Sequence, residues 1–449
     1  MICVLIYIMK TQTSILSFDN LVSITRETFN NNVSDHRRKL SVEYPLSDVL
    51  MSGLAMFHFQ CPSLLNFQKQ LEDLYQTSNL TTLFGVSSVP KSSQFRSALD
   101  KINPAQMELT YNEIHKVIAE SKILRKYRFL NGRYLCLMDG SEYFSSKFCS
   151  CSNCLEKKHK NGTITYHHQI LQCVIAKPGF PVVLPLDTEE ICRQDGHEKQ
   201  DCELNAGKRI LDRIKKNHYQ MDIVVVADGL YSHVPFIKLL REKKLSFILV
   251  AKPDDHVAMM AEVDSLRKMG EVGKLEFSLK DGGKEIYEFL PQVPLRSDGK
   301  DTVNWYSFTK IDKEGKILYK NSWVTDLPVN AKNIVEMVEA GRCRWKVENE
   351  CFNTIKNQGY HIEHNFGHGK EHLSYNLFIL NMIAFLIHEI LELSDKLFQK
   401  VREKIGTRYM LWERMRTFVN SLIIPDWTTL LNLLLKKGYR IVVQSVQTG

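Results

Sequence analysis

The sequence predicts an α/β fold in which a sheet core, interrupted by a β-rich insertion, lies between helical N-terminal and C-terminal regions. The stretch 221–227 is almost continuously apolar, which is typical of a strand buried on both faces. A helix over 234–243 and a strand over 246–251 follow it, and this spacing indicates a crossover within one sheet. Alternating apolar residues between 275 and 307 then predict hairpins.

The composition is that of an ordinary globular protein. Of the 449 residues, 44% are apolar and 24% charged, which excludes a disordered tail protein, a collagen-like chain and a small disulfide scaffold. The longest apolar stretch, 377–391, contains Asn381, His388 and Glu389, so we expect a buried helix there and no membrane span. The formal charge of +8 permits a polyanionic partner without requiring one.

The start of the chain and the cysteines bear on the compartment. The apolar stretch 2–9 has no positive charge before it and no small-residue cleavage site, so we predict no signal peptide. The thiols are then expected to stay reduced. Clusters among the 11 cysteines are expected to be metal ligands or core residues.

Residues 1–130 are predicted to be a helical region that binds DNA. One helical pattern ends at Gly85 and another begins at Ser92, with Gln94 and Arg96 near its start. Two short helices around a glycine-containing turn are typical of a helix-turn-helix, and a plain helical packing domain is the alternative. The helices are expected over 46–60, 63–76, 80–84 and 92–102.

The core is predicted to consist of two parts on either side of the β-rich insertion. An amphipathic helix is expected over 205–217, and a long helix over 333–357 contains Gly341, a residue that can kink it. Further strands are expected over 133–138, 164–176 and 180–186. The segments are the N-terminal region 1–130, the core 131–256 and 333–392, the insertion 257–332 and the helical C-terminal region 393–449.

Three acidic residues are candidates for a shared site. Asp139 and Asp228 each follow a predicted strand, at the sheet edge where ligands bind in open α/β folds. Glu348 lies on the long helix, four residues after Arg344 and on the same face. The alternatives are ordinary Asp-Gly turns and an Arg344–Glu348 ion pair. Glu203 begins a helix, where it is either a partner of the helix dipole or a support for the acidic site.

Three carboxylates brought together repel one another and lose hydration, unless a cation joins them. Mg²⁺ prefers oxygen ligands and keeps open positions for water or phosphate. Two such ions can hold both the attacking and the leaving oxygen of a phosphodiester. An acidic triad in a basic protein therefore suggests metal-assisted cutting or joining of nucleic acid.

Segment 341–350 resembles the signature around the catalytic glutamate of DDE-type insertion-sequence transposases. In that family an Arg-Trp-x-x-Glu motif lies on a helix after a Thr-Asp/Asn-Leu segment, and segment 323–327 matches the latter. Segment 139–141 is similar to the block around the first Asp, and segment 225–231 to the block around the second. The resemblance covers about residues 45–440.

This resemblance implies an RNase H-like, retroviral-integrase-like core with a β-rich insertion, and Mg²⁺ (or Mn²⁺) on Asp139, Asp228 and Glu348. It also implies that water frees a 3′-hydroxyl at the transposon end and that this hydroxyl attacks target DNA, with no covalent protein–DNA link. The implied partners are the inverted repeats and target DNA, bound by a homodimer in the cytoplasm, at the nucleoid.

The signature is not complete. Gly341 stands where the family usually has Tyr. The family also has a basic residue seven positions after the glutamate, whereas this chain has Ile355 there and Lys356 one position later. Glu350 competes with Glu348 for the role of third ligand, and the motif spacing favours Glu348.

Basic residues surround the predicted glutamate. Beside a site that cuts phosphodiesters, such residues are candidates for contacts to the DNA backbone, and a solvated helix face is the alternative. Trp345 is expected in the core, with base stacking as the alternative. The candidate DNA contacts are Arg342, Arg344, Lys346 and Lys356, together with Gln94 and Arg96.

A second set of candidate metal ligands follows Asp139. Cys149, Cys151, Cys154 and His159 offer three thiolates and an imidazole, which suit tetrahedral Zn²⁺. The alternative is a loop of reduced thiols. Several histidines also crowd the segment 361–372. We expect this segment to pack beside the catalytic helix, with Lys370 near DNA phosphate, and a metal site is the alternative.

The predicted function is thus a DNA transposase that cleaves insertion-sequence ends and transfers strands. The alternatives are a catalytically inactive, transposase-derived DNA-binding protein, a metal-dependent nuclease that cuts without joining, and a zinc-stabilised interaction protein.

Overall fold

The computed structural model describes residues 14–38, 42–71, 74–192 and 202–436. The N-terminal stretch in which we predict no signal peptide lies outside these residues. The chain forms two compact units. A helical unit comprises residues 1–117, 358–361 and 376–449, and a sheet unit comprises residues 118–357 and 362–375.

The elements follow one another in this order. The described helices are α1 Phe18–Asn32, α2 Leu46–His58, α3 Leu64–Gln70, α4 Leu74–Phe84, α5 Ser92–Asp100, α6 Pro104–Glu120, α7 Glu203–Asn217, α8 Val234–Glu242, α9 Val257–Lys268, α10 Ile334–Arg342, α11 Asn353–Asn357, α12 Leu373–Ser394, α13 Lys396–Ile405, α14 Arg408–Ser421 and α15 Trp427–Leu435. The described strands are β1 Arg128–Phe129, β2 Arg133–Ser146, β3 Leu155–Lys158, β4 Ile164–Ala176, β5 Leu184–Ile191, β6 Ile223–Ala227, β7 Ser246–Val250, β8 Gly273–Ser278, β9 Lys284–Pro294, β10 Thr302–Ile311 and β11 Ile317–Thr325.

These strands form one mixed sheet, mostly antiparallel, in the order β3-β4-β2-β6-β7-β11-β10-β9-β8, with β5 on β4 and β1 on β2. The pairs β2–β6 and β6–β7 are parallel. Helix α8 connects β6 to β7, as the apolar run and its spacing predict. The mixed α/β class is confirmed, although most strand pairs are antiparallel.

The β-rich segment continues the same sheet. Strand β11 pairs with β7, with Trp323 opposite Val250 and Thr325 opposite Ile248. The Thr325 hydroxyl donates to the Phe247 carbonyl oxygen at 2.6 Å, and the Asp326 carboxylate accepts from the Phe247 amide at 2.9 Å. The Thr-Asp-Leu segment is therefore the join between the insertion and the strand beside β6.

Several predicted elements differ from the structure. The helix expected over 63–76 is divided between α3 and the start of α4, and the strand expected over 180–186 begins only at Leu184 and runs to Ile191. Strand β2 does not end at Asp139: its parallel pairing with β6 stops at Leu137, but β4 remains its partner as far as Ser146. The helix expected over 333–357 is not continuous either. It turns after Arg342 and resumes as a π-helical segment, Val347–Phe352, before α11.

Gly341 lies one residue before the end of α10 and packs against a buried ring. A Cβ atom at this position would lie 2.7 Å from Cε2 and Nε1 of Trp323, whose side chain is fully buried. The ring thus fills the space that a larger residue at 341 would need, and no side chain fits there without moving it.

We expect Gly341→Ala to destabilise the fold by about 1–2 kcal/mol, because the clash outweighs the gain in helix propensity. For a unit of this size the melting temperature should fall by roughly 2–6 °C. Thermal unfolding of the full chain measures this, with Val335→Ala, exposed on the same helix, as the control. A Gly341→Ala protein as stable as that control would contradict the packing argument.

Helix α12 is long and apolar enough to cross a membrane, judged by length and composition alone. However, 89% of its most apolar 18-residue stretch is buried inside the protein. Its polar residues have partners within the helical unit. The Asn381 amide donates to the Tyr360 carbonyl oxygen at 2.8 Å, and His388 Nδ1 lies 2.6 Å from the Tyr360 hydroxyl. Glu389 pairs with Arg408. The expectation of a buried helix at 377–391 is confirmed.

Candidate active site

Two of the acidic residues stand where the parallel strands separate. Asp139 lies two residues after Leu137, where the pairing of β2 with β6 ends, and its Oδ1 accepts from the Gly140 amide at 3.1 Å. Asp228 follows β6, and its Oδ1 accepts from the Leu230 amide at 2.9 Å, capping a single 3₁₀ turn. Because β2 and β6 are parallel neighbours, both carboxylates lie at one edge of the sheet.

Glu348 comes from the π-helical segment that follows the turn after α10. Such wide turns are rare and are often found at functional sites. The side chain of Glu348 is exposed, whereas its neighbour Val347 is fully buried and anchors the segment.

These three carboxylates line one open cleft of about 520 Å³ in the sheet unit. Arg344 and Lys356 supply positive charge to its walls, and the remaining walls are small, polar or aromatic. The other lining residues are Gly140, Ser141, Asn349, Phe352 and Asn353. The sequence-predicted triad is thus brought together by the fold.

The electrostatics of Asp139 reflect this crowding. Burial raises its pKa above the ordinary value, and the charges of Asp228 and Glu348 raise it further. Arg344 opposes both effects, since its Nη1 lies 2.7 Å from Asp139 Oδ2. The Arg344 guanidinium therefore pairs with Asp139. The alternative of an ion pair between Arg344 and Glu348 along the helix is wrong.

A comparison with protein-family models gives a match over residues 176–386, to the family described as transposase DDE domain. Residues 176–386 are thus similar to the transposase DDE domain. The matched region contains Asp228 and Glu348, and Asp139 lies before it, on the strand paired with β4. Among curated proteins, no match is found.

A fourth carboxylate, also within the matched region, reaches the same sheet edge. Glu203, at the start of α7, accepts a 2.8 Å hydrogen bond from the Tyr231 hydroxyl. Burial raises the pKa of Glu203, and the charges of Asp228 and Asp139 add to this shift. A Cβ atom at Gly140 would collide with the Glu203 carboxylate, so the Asp-Gly pair leaves room for it. Support of the acidic site was one of the two roles that the sequence left open for Glu203, and the Tyr231 hydroxyl that binds it belongs to the second-Asp block.

The predicted DNA contacts between residues 342 and 356 fall into two classes. Arg344 and Lys356 line the cleft, where Lys356 also pairs with Glu363 at 2.9 Å. Arg342 instead stacks its guanidinium on two aromatic rings of the insertion, and the Lys346 side chain is only 6% exposed.

Trp345 is 44% exposed, so the expectation that it fills the core is wrong. After the turn that follows Arg342, Trp345 lies on the outer side of the chain, whereas Val347 and Cys351 are buried. The Trp345 ring lies 4.8 Å from Lys346 Nζ, so an exposed indole lies beside a cation, and neither residue lines the acidic cleft.

Gln94 and Arg96 lie on α5 of the helical unit. The Gln94 side chain accepts from the Lys91 amide at 3.2 Å and donates to Glu43 at 3.3 Å, so it serves the start of the helix. Arg96 is exposed. The turn before this helix contains Gly85 in a left-handed conformation, with φ of 67°.

The predicted zinc ligands are only partly brought together. Cys151 and Cys154 face each other, with 3.7 Å between their sulfur atoms. Cys149 is exposed, and His159 Nε2 lies 2.7 Å from the Thr165 hydroxyl. None of the ten cysteines in the described part of the chain forms a disulfide.

Proposed function

We propose that this chain is a DNA transposase that cleaves insertion-sequence ends and transfers the resulting strand into target DNA. The observation that carries the proposal is the common cleft of Asp139, Asp228 and Glu348, which the transposase DDE match accompanies. Binding two DNA molecules requires positive charge, and the net charge of +8 and the cations of the cleft are consistent with that.

We further propose that five strands form an RNase H-like core. In spatial order they are β5, β4, β2, β6 and β7, of which the first three are antiparallel and the last three parallel. The insertion enters after β7 and returns beside it, so it leaves the pairing of the other four strands intact.

The carboxylates fit a divalent cation of the Mg²⁺ kind. All three donors are oxygen, which hard cations prefer. Burial raises the pKa of Asp139 most, and a cation would relieve the repulsion by Asp228 and Glu348 that adds to it. Bound Mg²⁺ or Mn²⁺ would supply activation of the attacking oxygen and neutralisation of charge on the phosphate. Asp139, Asp228 and Glu348 would hold it through their carboxylate oxygens.

The remaining residues position the DNA. Arg344 would exchange its ion pair with Asp139 for the scissile phosphate, and Lys356 would hold the adjacent backbone. Water first attacks the phosphodiester at the transposon end and displaces the 3′-oxygen, which becomes a 3′-hydroxyl. That hydroxyl then displaces a 3′-oxygen in target DNA, so phosphodiester bonds are exchanged without a covalent protein link.

The test is a cleavage and strand-transfer assay on DNA that carries the ends of the element, with Mg²⁺ or Mn²⁺ present. A transposase yields both cut ends and joined target. Cut ends without joined product would favour the nuclease alternative. Binding of the ends without cutting would favour an inactive transposase-derived DNA-binding protein.

A further inference from the structure

Four potential metal ligands converge at the end of the sheet unit that carries the β2–β3 loop. They are Cys151 and Cys154 from that loop, His168 from β4 and His368 from the segment before α12. Their donor atoms all lie within 4.8 Å of one another. Cys154 and His168 are buried, and Cys151 and His368 are half-buried.

The distances between these atoms are those of a tetrahedron around one zinc ion. With Zn–S near 2.3 Å and Zn–N near 2.05 Å, a tetrahedral site requires about 3.8 Å between sulfurs, about 3.5 Å between sulfur and nitrogen, and about 3.3 Å between nitrogens. The observed values are 3.7 Å for the sulfurs, 3.4–3.5 Å for three sulfur–nitrogen pairs and 3.2 Å for the two Nε2 atoms.

Both imidazoles are also oriented as metal ligands are. His168 and His368 turn Nε2 toward the cluster. Their Nδ1 atoms face acceptors on the outer side: the Glu190 carboxylate lies 3.3 Å from His168, and the Gly369 carbonyl oxygen lies 3.3 Å from His368. An outer acceptor of this kind fixes the tautomer that leaves Nε2 available to a metal.

We propose that Cys151, Cys154, His168 and His368 bind a structural Zn²⁺ ion. Two thiolates and two neutral imidazoles complete a closed tetrahedral set with no position for substrate, so the site is structural and not catalytic. This inference does not depend on the proposed transposition.

The ion would fix the segment that follows the glutamate helix to the hairpin extending from the Asp139 strand. Direct hydrogen bonds from Ser152 and Asn153 already join these parts. The Asn153 amide donates to the Glu371 carbonyl oxygen at 2.9 Å, and the Ser152 amide donates to that of Lys370 at 3.4 Å. Zinc would add a bridge across more than 200 residues of sequence, and it would stabilise the face of the sheet unit on which the acidic cleft depends.

The full-length protein is purified with zinc present and without chelator, and its zinc content is measured by mass spectrometry. The metal is then replaced by Co²⁺, and the visible absorption spectrum is recorded. We expect about one zinc per chain and cobalt bands typical of tetrahedral coordination by two thiolates. Cys151→Ser and His368→Asn should each lower metal affinity by at least about 10-fold. Cys149→Ser and His159→Gln, which lie outside the cluster, should retain one equivalent.

A chelator titration of the unaltered chain covers the case in which the ligand variants fail to fold. Removal of the metal should lower the melting temperature, and added Zn²⁺ should restore it. Metal-free protein under zinc-replete conditions would overturn the proposal. So would loss of zinc in Cys149→Ser or His159→Gln together with its retention in His368→Asn, since that would require a different ligand set.

Discussion

Replacement of Asp139, Asp228 or Glu348 by the matching amide is expected to reduce cleavage of insertion-sequence ends by at least about 10³-fold. Stabilisation of transition-state charge by a bound cation is worth several kcal/mol, and each 1.4 kcal/mol corresponds to a factor of ten in rate. An amide keeps the size of the side chain but not its charge, so DNA binding should remain near that of the unaltered protein. Single-turnover cleavage and a binding isotherm on the same DNA measure the two effects separately.

Glu350→Gln is the matched control for Glu348→Gln. Both residues belong to the same π-helical segment, and Glu350 lies 3.9 Å from Lys346 instead of lining the cleft. We expect cleavage within a few-fold of the unaltered rate for Glu350→Gln. If Glu350→Gln were inactive and Glu348→Gln active, the third ligand would have been assigned to the wrong glutamate.

Loss of activity in Asp139→Asn should not come from loss of stability. Burial and neighbouring carboxylates raise the folded-state pKa of Asp139, so the folded protein binds this proton more tightly than the unfolded chain. The group therefore favours folding at low pH, and this contribution is lost as the pH rises through the folded-state pKa. At neutral pH a permanently neutral amide should leave the melting temperature unchanged or slightly higher, which a thermal unfolding curve at pH 7 measures.

Much of the sheet could be predicted because its strands carry local signals. The run at 221–227 and the pattern at 164–176 appear as β6 and β4 with shifts of at most two residues, since apolar strands buried on both faces tolerate few other conformations. The continuation of β2 beyond Asp139 was not predictable from local pattern, because it depends on β4 as a partner some thirty residues later. The close contact between Gly341 and the Trp323 ring joins a helix to a strand of the insertion, which a local sequence pattern does not show.

The candidate site shows the same division. Asp139, Asp228 and Glu348 were identifiable from motif spacing, and the fold brings them into one cleft. The ion pair of Arg344 with Asp139 joins residues 205 positions apart, so sequence spacing favoured the nearer Glu348 as its partner. The Cys/His cluster shows the same division. Cys151 and Cys154 could be predicted as ligands from their spacing, whereas His168 and His368 come from a strand and a distant loop.

Arg344→Gln is expected to move the acid limb of the cleavage pH profile to higher pH. The guanidinium is the main influence that lowers the pKa of Asp139 against burial and against Asp228 and Glu348. Without it that pKa rises, so a smaller fraction of the carboxylate is ionised and able to bind metal at a given pH. The shift should be clearest at subsaturating Mg²⁺, where protons and metal compete, and Arg344→Lys should shift the limb less because it keeps the charge.

Lys356→Gln separates this effect from a simple loss of DNA contact. Lys356 lines the same cleft but pairs with Glu363, so its removal should weaken DNA binding similarly at every pH and reduce the salt dependence of binding. The acid limb should stay in place. If Arg344→Gln lowered the rate by the same factor at every pH, its role would be restricted to the phosphate. An unchanged limb combined with normal DNA affinity would show that Asp139 ionisation does not control metal binding in this cleft.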